Sequence, residues 1–337
     1  MRIAVTGGAG YIGSHAVVEL LSVGHEILII DSFANAAADV PDRVAGITGH
    51  RPHVAQVDVT DRPALTQVLA RFKPEAALHF AGLKAVGDSV ADPLEYYRVN
   101  VGGSLTLLRA LEAADCWRLV FSSSATVYGN PDQVPVPETH ALRPTNPYGH
   151  SKRMVEQVIE DWGVANPQVA AVNLRYFNPV GAHTSAQIGE APQGVPNNLM
   201  PYVAQVATGQ RALLSVFGDD YETPDGTGVR DYIHVVDLAG AHLAALELTL
   251  NGTGVQAINV GTGRGYSVLE MVRAFETASG HAVPYQTTVR RPGDTATVLA
   301  DPTRAAEVMG WRATRDLETM CRDTWAWQCY LESRNSG

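Results

Sequence analysis

Arg2-Ile3-Ala4-Val5-Thr6-Gly7-Gly8-Ala9-Gly10-Tyr11-Ile12-Gly13 sets a short apolar run directly against three glycines at G-x-x-G-x-x-G spacing, Gly7, Gly10 and Gly13. The run reads as a buried strand, and Ile12–Ser22 after it reads as a helix. Glycines between a strand and a helix permit a tight turn and close backbone approach to a pyrophosphate. That group then sits on the helix's free N–H groups and positive dipole end. The spacing departs from the more usual G-x-G-x-x-G. Asp31 closes the second apolar run, 18 residues past Gly13, where a carboxylate can accept hydrogen bonds from ribose hydroxyls. Ser32–Ala38 contains no Arg or Lys to pair with a 2′-phosphate, so the expected cofactor is NAD rather than NADP. Asp58-Val59, after the third apolar run, reads either as an adenine contact or as a plain surface turn.

Working outward, strand patterns at Ile3–Thr6, Glu26–Asp31, His53–Val57, Ala76–Phe80, Arg118–Ser123 and Val169–Arg175 alternate with helical ones at Ile12–Ser22, Arg62–Phe72, Val99–Ala114 and Ser151–Val164. This alternation predicts an α/β fold, a Rossmann-type doubly wound parallel sheet with helices on both faces. Ligand crevices in such sheets lie at the carboxyl ends of the strands. From about Gly181 the texture becomes rich in Gly, Pro and Asn, with helical stretches at Leu199–Thr208, Val235–Leu248, Ser267–Ser279 and Pro302–Met309 and a strand at Ala257–Val260. The expected division is an NAD-binding domain over 1–180, with 231–262 partly returning to it, and a smaller α/β substrate-binding domain over 181–337.

The 337 residues are 45% hydrophobic and 18% charged, the composition of an ordinary globular protein. A formal net charge of −10 argues against nucleic acid or an anionic membrane surface as the main partner. Cys116, Cys321 and Cys329 show neither C-x-x-C nor metal-ligand spacing and are expected to be reduced packing residues, with no metal site. No basic leader or apolar signal core precedes the first strand, and no apolar stretch approaches the ~20 residues of a membrane span. The expectation is a soluble, cytoplasmic protein.

A second motif supplies chemistry. Tyr148-Gly149-His150-Ser151-Lys152 places a tyrosine and a lysine four apart, on one face of a helix beginning near Pro147. A free tyrosine, with a pKa of about 10, is a poor base at neutral pH. A neighbouring ammonium and the positive ring of a bound nicotinamide would favour the phenolate and lower that value. General acid/base work needs such tuning. Ser124, at the end of Ser122-Ser123-Ser124, can hydrogen-bond the same substrate hydroxyl. Together with the glycine turn, the pair points to nicotinamide-dependent proton and hydride removal at a sugar or alcohol carbon.

The chain resembles the extended short-chain dehydrogenase/reductases, and closely the UDP-glucose 4-epimerase family, along essentially its full length. The carriers include TGGAGYIGSH (6–15), HFAGLKAVGDSV (79–90), PLEYYRVN (93–100), FSSSATVYG (121–129), NPYGHSK (146–152), RYFNPVGAH (175–183), PQGVPNNLMPY (192–202) and GTGVRDYIHVVDLA (226–239). The resemblance implies that Tyr148 takes the proton of the sugar's 4-hydroxyl, that Ser124 assists, and that Lys152 holds the nicotinamide ribose. It implies a 4-ketose that rotates about its diphosphate link, interconverting UDP-galactose and UDP-glucose with NAD retained. Gly7, Gly10, Tyr11, Ile12, Gly13, Asp31, Asn35, Asp58, Val59, Phe80, Ala81, Lys84, Asn100, Ser122 and Phe177 would contact the cofactor alongside Tyr148 and Lys152. Lys84, Ser124 and Tyr148 would also face substrate. Asn178, Asn198 and Leu199 match diphosphate and sugar contacts, Ser215 and Phe217 the uracil segment, Arg230 and Arg291 the diphosphate grip, and Asp294 the ribose. Guanidinium pairs suit phosphate, and an acidic chain needs such a local positive site.

Two positions depart from the family pattern. Val99 stands where many members carry asparagine, which implies a lost or water-mediated cofactor contact. Val298 falls at the sugar-pocket gate, where hexose-restricted members carry tyrosine. A valine there would leave room beside the sugar's C2 substituent and admit N-acetylated UDP-hexoses, unless neighbouring side chains fill the space. The related dehydratases and decarboxylases carry an acidic residue just after the Ser/Thr, where this chain has Ala125 and Thr126. A catalytically silent NAD-sensing protein would typically lose Tyr148 or Lys152. The resemblance and the helices at 99–114 and 151–164 suggest a homodimer built on a four-helix contact.

Overall fold

The computed structural model describes residues 1–291 and 293–335. The last two residues of the expected second domain lie outside it. Seven strands form one parallel sheet: β1 (Arg2–Thr6), β2 (Glu26–Asp31), β3 (His53–Gln56), β4 (Ala76–His79), β5 (Arg118–Ser124), β6 (Ala170–Tyr176) and β7 (Gly254–Val260). Their spatial order is β7-β6-β5-β4-β1-β2-β3. The register runs from Ile3 opposite Ile27 on one side and Ala76 on the other. Strand order reverses between β1 and β4, and the crevice of a doubly wound sheet opens at this switch point. The six expected strands of the first half are all present. β7 returns from the second half, beginning three residues before the expected Ala257.

Side chains alternate across each strand, so successive residues of β1 enter different cores. Ile3 and Val5 pack with Val17, Leu20 and Leu21 of α1 (Tyr11–Ser22). Ala4 faces Leu65 and Leu69 of α2 (Arg62–Phe72), Leu107 and Leu111 of α3 (Gly103–Ala113), and Val155 and Ile159 of α4 (Pro147–Ala165). Leu238, Ala241 and Ala245 of α5 (Val235–Leu250) join the first of these cores. A strand buried on both faces needs a continuous apolar run rather than an alternating one, as Ile3-Ala4-Val5 supplies.

Local signals start the helix that carries Tyr148. The Asn146 side chain accepts a hydrogen bond from Gly149 N at 2.9 Å, and Pro147 occupies the first helical position. The expected helix at 99–114 is more complex. Helical backbone begins at Pro93, widens into a π-helical stretch over Tyr97–Gly102, and resumes as α3. Asn100 is buried within the widened stretch.

Beyond the main sheet, Val229–His234 centres a small four-stranded sheet with Asn178–Val180, Gly265–Ser267 and Thr297–Val298, while Leu214–Phe217 pairs in parallel with Tyr285–Thr288. Their own core joins Val203, Val216, Phe275, Met320 and Cys321. The sequence reading missed the helices Val40–Thr48 and Leu317–Asn335. The latter buries Asp323, Thr324 and Gln328 alongside Met320, Cys321 and Trp327, which blurs the apolar periodicity by which a helix is recognised.

A buried ion pair fastens α4 to the sheet. Arg175 of β6 donates to Glu156 through Nε at 2.9 Å and Nη2 at 2.7 Å, with side chains 3% and 0% exposed. Ser123 Oγ donates to the same carboxylate at 2.5 Å, and Arg175 Nη1 reaches Tyr128 OH at 3.1 Å. Breaking such a pair from one side leaves an uncompensated buried charge. Glu156→Leu should therefore cost about 3–5 kcal/mol in urea denaturation, and adding Arg175→Met should recover a large part of the loss.

Candidate active site at the switch point

The turn after β1 requires glycine on steric grounds. Gly7 has φ +69°, and a Cβ there would lie 2.6 Å from Ala81 N at the end of β4. A Cβ on Gly13 would fall 2.2 Å from Gly7 O. Gly10 precedes α1 with no side-chain cap on the helix's first amides, so Tyr11, Ile12 and Gly13 open the helix beside the crevice. Asp31 accepts from Ala9 N at 3.0 Å and Phe33 N at 2.9 Å, which ties the end of β2 to the turn. Burial raises its pKa against the pull of those bonds. Asn35 is exposed. Asp58 is exposed too, its Oδ1 taken by Thr60 N and Oγ1, bonds that lower its pKa. Val59 is buried against α3, where a Cβ on Gly103 would meet Val59 Cγ1 at 2.6 Å. The Phe80 ring packs 4.6 Å from that of His242.

A chain of buried hydrogen bonds links this turn to α4. Thr6 Oγ1 and His79 Nδ1 are 2.7 Å apart, His79 Nε2 and Ser104 Oγ 2.8 Å, and Ser104 Oγ donates to Asn100 O at 2.5 Å. Ser104 has one proton and spends it on Asn100, so His79 donates from Nε2 and accepts from Thr6 at Nδ1. Burial pulls the His79 pKa down to about 3, with Lys152 adding to the effect, and the ring stays neutral. The Asn100 side chain accepts from Leu83 N at 2.7 Å and donates to Leu83 O at 3.0 Å and Ser151 Oγ at 2.9 Å. Ser151 Oγ in turn donates to Tyr148 O at 2.7 Å. Asn100 thus spends its side chain on the loop after β4 and on α4. Sequence reasoning overlooked His79, although an ionisable group closing an apolar strand was a signal to follow.

Ser124, Tyr148 and Lys152 converge at the carboxyl end of β5. Ser124 Oγ accepts from Thr126 N at 3.2 Å and Thr126 Oγ1 at 3.0 Å, leaving its own proton available. The half-buried Tyr148 phenol has its pKa raised by burial, while a hydrogen bond with Ser124 pulls the other way. Lys152 Nζ donates to Ser122 O at 2.7 Å and lies 4.9 Å over the Phe121 ring and 5.8 Å over the Tyr148 ring. Burial brings the Lys152 pKa down to about 8, opposed by Glu156 one helical turn on. The lowering expected from sequence counts on a bound nicotinamide ring as well as on the ammonium, and burial of the phenol works against it. The ammonium is bonded to a carbonyl rather than to the phenol, and desolvation wins. Ser122 Oγ itself pairs with Tyr176 OH.

The remaining expected residues form two groups. Arg291 lies 4.8 Å over the Phe217 ring and donates from Nε to Asp294 Oδ2 at 2.9 Å. Arg230 Nη1 donates to Val229 O and Thr295 O, both at 2.9 Å, and its Nη2 is 3.9 Å from Asp294 Oδ1. Ser215 and Phe217 share the strand Leu214–Phe217, with Phe217 exposed. Val298 pairs with Arg230 and packs against the cluster of Val127, Tyr128, Val136, Phe177 and Ala300. In the second group Lys84 Nζ and Asn198 Nδ2 both donate to Glu190 Oε1, at 2.6 and 2.7 Å. Leu199 begins the helix after Asn198, and Asn178 is exposed just beyond β6. Glu190 was not anticipated, since nothing in its local sequence marks it.

Residues 4–324 match a family model described as GDP-mannose 4,6 dehydratase. A UDP-glucose 4-epimerase of Bacillus subtilis is 56% identical over 97% of either chain. A crystal structure of UDP-glucose-4-epimerase from Stenotrophomonas maltophila, with bound NAD and formylated UDP-arabinopyranose, superposes with a TM-score of 0.97 at 50% identity over 99% of both chains. The UDP-Glc/GlcNAc 4-epimerase of Campylobacter jejuni superposes with a TM-score of 0.86 at 35% identity, over 98% of this chain and 99% of that one. A chain so alike along its whole length, with Tyr148 and Lys152 side by side at the carboxyl end of β5, belongs to the UDP-glucose 4-epimerase family.

Proposed function

We propose that this chain interconverts UDP-galactose and UDP-glucose by inverting C4 of the sugar through a 4-keto intermediate, with NAD retained as cofactor. The observation that carries the reading is the meeting of Ser124, Tyr148 and Lys152 at the carboxyl end of β5, in a chain 56% identical to a UDP-glucose 4-epimerase. The steric demand for glycine at 7 and 13 and the uncapped first turn of α1 fit a dinucleotide. Held there, NAD would supply reversible hydride transfer at C4 of the sugar.

The residues divide the remaining work. The first-turn amides of Tyr11, Ile12 and Gly13 hold the pyrophosphate together with Gly7 and Gly10. Asp31 and Asn35 hold the adenosine ribose, and Asp58 with Val59 borders the adenine. Phe80, Ala81, Lys84, Ser122 and Phe177 flank the nicotinamide half, while Asn100 acts on it through the Leu83 loop. Tyr148 exchanges a proton with the 4-hydroxyl through Ser124. Its raised pKa means that the phenolate at neutral pH needs further positive charge in the crevice, beyond what Lys152 supplies in the protein alone. Arg230 and Arg291 hold the diphosphate while the sugar turns, with Asn178, Asn198 and Leu199 along its path. Ser215 and Phe217 border the uracil, and Asp294 the uridine ribose. No carboxylate follows Ser124, where Ala125 and Thr126 stand, which favours epimerisation over dehydration.

The division into an NAD-binding part over 1–180, rejoined by 231–262, and a UDP-sugar part over 181–337 follows from this reading. A homodimer is supported by Leu105 of α3 and Met154 of α4, both apolar and exposed, and by exposed Val90 and Leu94 on the short helices beside α4. Among the described residues no helix is long and apolar enough to cross a membrane. Free Cys116, Cys321 and Cys329 are in keeping with a reducing, cytoplasmic setting.

Three measurements test the reading. Tyr148→Phe should lower UDP-galactose turnover by about 10³ while leaving NAD bound, read by NMR of the sugar anomeric protons without added cofactor. Turnover unchanged in that variant would overturn the assignment. Val298→Tyr should suppress turnover of UDP-N-acetylgalactosamine and spare UDP-galactose, and equal loss of both would remove the gate role of Val298. Burying Lys152 with its pKa down at about 8 costs stability, on the order of 3 kcal/mol. That cost is fully present below pH 8 and is relieved as pH rises toward the unfolded-chain value of about 10.4. Lys152→Met should accordingly be inactive yet more stable than the parent chain in urea at pH 7, with the gap shrinking at pH 10.

A further inference from the structure

The helix Leu317–Asn335 meets the first half of the chain along one face, and catalysis gives that contact no role. Asp323, Trp327 and Arg334 are spaced by four and seven residues, which places them on the same side of the helix. Each reaches a different segment. His234 accepts from Val236 N at Nδ1, so its Nε2 donates to Asp323 Oδ2, at 3.2 Å. Trp327 Nε1 donates to Glu190 O at 2.9 Å, and Arg334 Nη1 donates to Asp39 Oδ2 at 2.6 Å. Asp39 closes the loop that begins at Asp31 and carries Asn35. We propose that Asp39, Arg43 and Trp327 are positioning residues that hold this loop in the shape that takes the adenosine ribose, and so set how long NAD stays bound. This rests on the reading that Asp31 and Asn35 hold that ribose.

Asp39 stands at the N-cap of the helix Val40–Thr48, where an aspartate usually accepts from an amide of the first turn. Here its side chain caps nothing. Both carboxylate oxygens turn instead to Arg43, which donates from Nη2 to Oδ1 at 2.5 Å and from Nε to Oδ2 at 3.1 Å. A two-point grip of this kind fixes direction as well as distance. The Arg43 guanidinium lies 5.8 Å over the Trp327 ring, and its side chain is 13% exposed. Trp327 is itself wedged in place, since a Cβ on Gly189 would lie 2.5 Å from the ring and Gly189 forms an antiparallel bridge with Ala182. Within the loop Phe33 has φ +58°, in the left-handed region that a bulky side chain disfavours. A residue keeps such a conformation only where its surroundings over-determine it. Asp31 does so at one end, accepting from Ala9 N and Phe33 N, and Asp39 does so at the other. The Arg334–Asp39 pair, its arginine 44% exposed, contributes little alone. The hold rests on the Arg43 fork and the aromatic ring beneath it.

The rate at which the purified holoenzyme releases NAD tests this, read from the absorbance of NADH as alcohol dehydrogenase and ethanol capture each freed cofactor. Asp39→Ala removes the carboxylate without taking a cap from the helix, and Trp327→Leu removes the ring under Arg43. Each should release NAD roughly tenfold faster than the parent chain. Turnover of UDP-galactose at saturating added NAD should stay within about twofold of the parent. Phe275→Leu controls for stability, because it thins the core against Trp325 on the other side of the same helix, and it should leave release unchanged. Parent-like release from Asp39→Ala and Trp327→Leu would overturn the proposal. So would an equal acceleration in Phe275→Leu, or a loss of turnover that added NAD fails to restore. Asp31→Ala separates failure of the clasp from failure of the ribose assignment. If Asp31→Ala sheds NAD and the other two hold it, Asp39, Arg43 and Trp327 alone lose their role. If none of the three speeds release, the ribose lies elsewhere and the proposal falls with it.

Discussion

The close backbone contact between the turn after β1 and the end of β4 is the constraint on which the site depends. Gly7 lies so near Ala81 that no side chain fits between them, and Gly13, in the first turn of α1, lies so near Gly7 O that a Cβ would clash there. Phe80 N and Ala81 N both donate to Thr6 O, at 2.9 and 3.1 Å, locking the two strand ends together. Strand order reverses at this place, so the crevice and its narrowest backbone contact share an origin. The hydrogen bonds through Thr6, His79, Ser104, Asn100 and Ser151 carry the same fixed point to the backbone of Tyr148. A neutral, fully partnered histidine suits this role, because either a charge or a missing partner would be costly at such depth.

Charge is distributed with equal economy. Lys152 is the one lysine of the Tyr-x-x-x-Lys motif and sits among apolar and aromatic surfaces that depress its pKa, against the field of Glu156. Glu156 is itself held by Arg175, so the ammonium, the carboxylate and the guanidinium form one coupled group behind the site. Stability is given up at Lys152, and the buried pair beneath it has each charge answered by the other. Strain of this kind is expected where activity needs a group that water would stabilise better.

Much of this was legible in the sequence. The glycine turn, Asp31 and the pattern of six strands follow from short-range rules: apolar run length, turn sterics and the spacing of Tyr148 and Lys152. What escaped were features set by distant contacts. The C-terminal helix hides its period because its inward face carries Asp323, Thr324 and Gln328. The π-helical widening at Tyr97–Gly102, which encloses Asn100, has no local signature. Burial of the Tyr148 phenol, which works against the expected lowering of its pKa, is set by the packing around it and not by the spacing of Tyr148 and Lys152. Glu190 owes its position to a hairpin pinned on Trp327, which lies 137 residues further along the chain.

β7 carries a consequence for how the molecule comes into being. The seven-stranded sheet is completed by a strand encoded far downstream, paired with β6 from Gly254 opposite Ala170 to Val260 opposite Tyr176. Asn259 also accepts from Tyr128 OH and donates to Val136 O at 2.8 Å, tying β7 to the segment that follows β5. During synthesis β6 therefore emerges as a bare, apolar sheet edge and stays so until the whole intervening lobe has been made. Such an edge invites pairing with another chain. Until Gly254–Val260 has been made, that edge has no strand of its own chain to pair with, so the sheet is complete only once both halves of the chain are present.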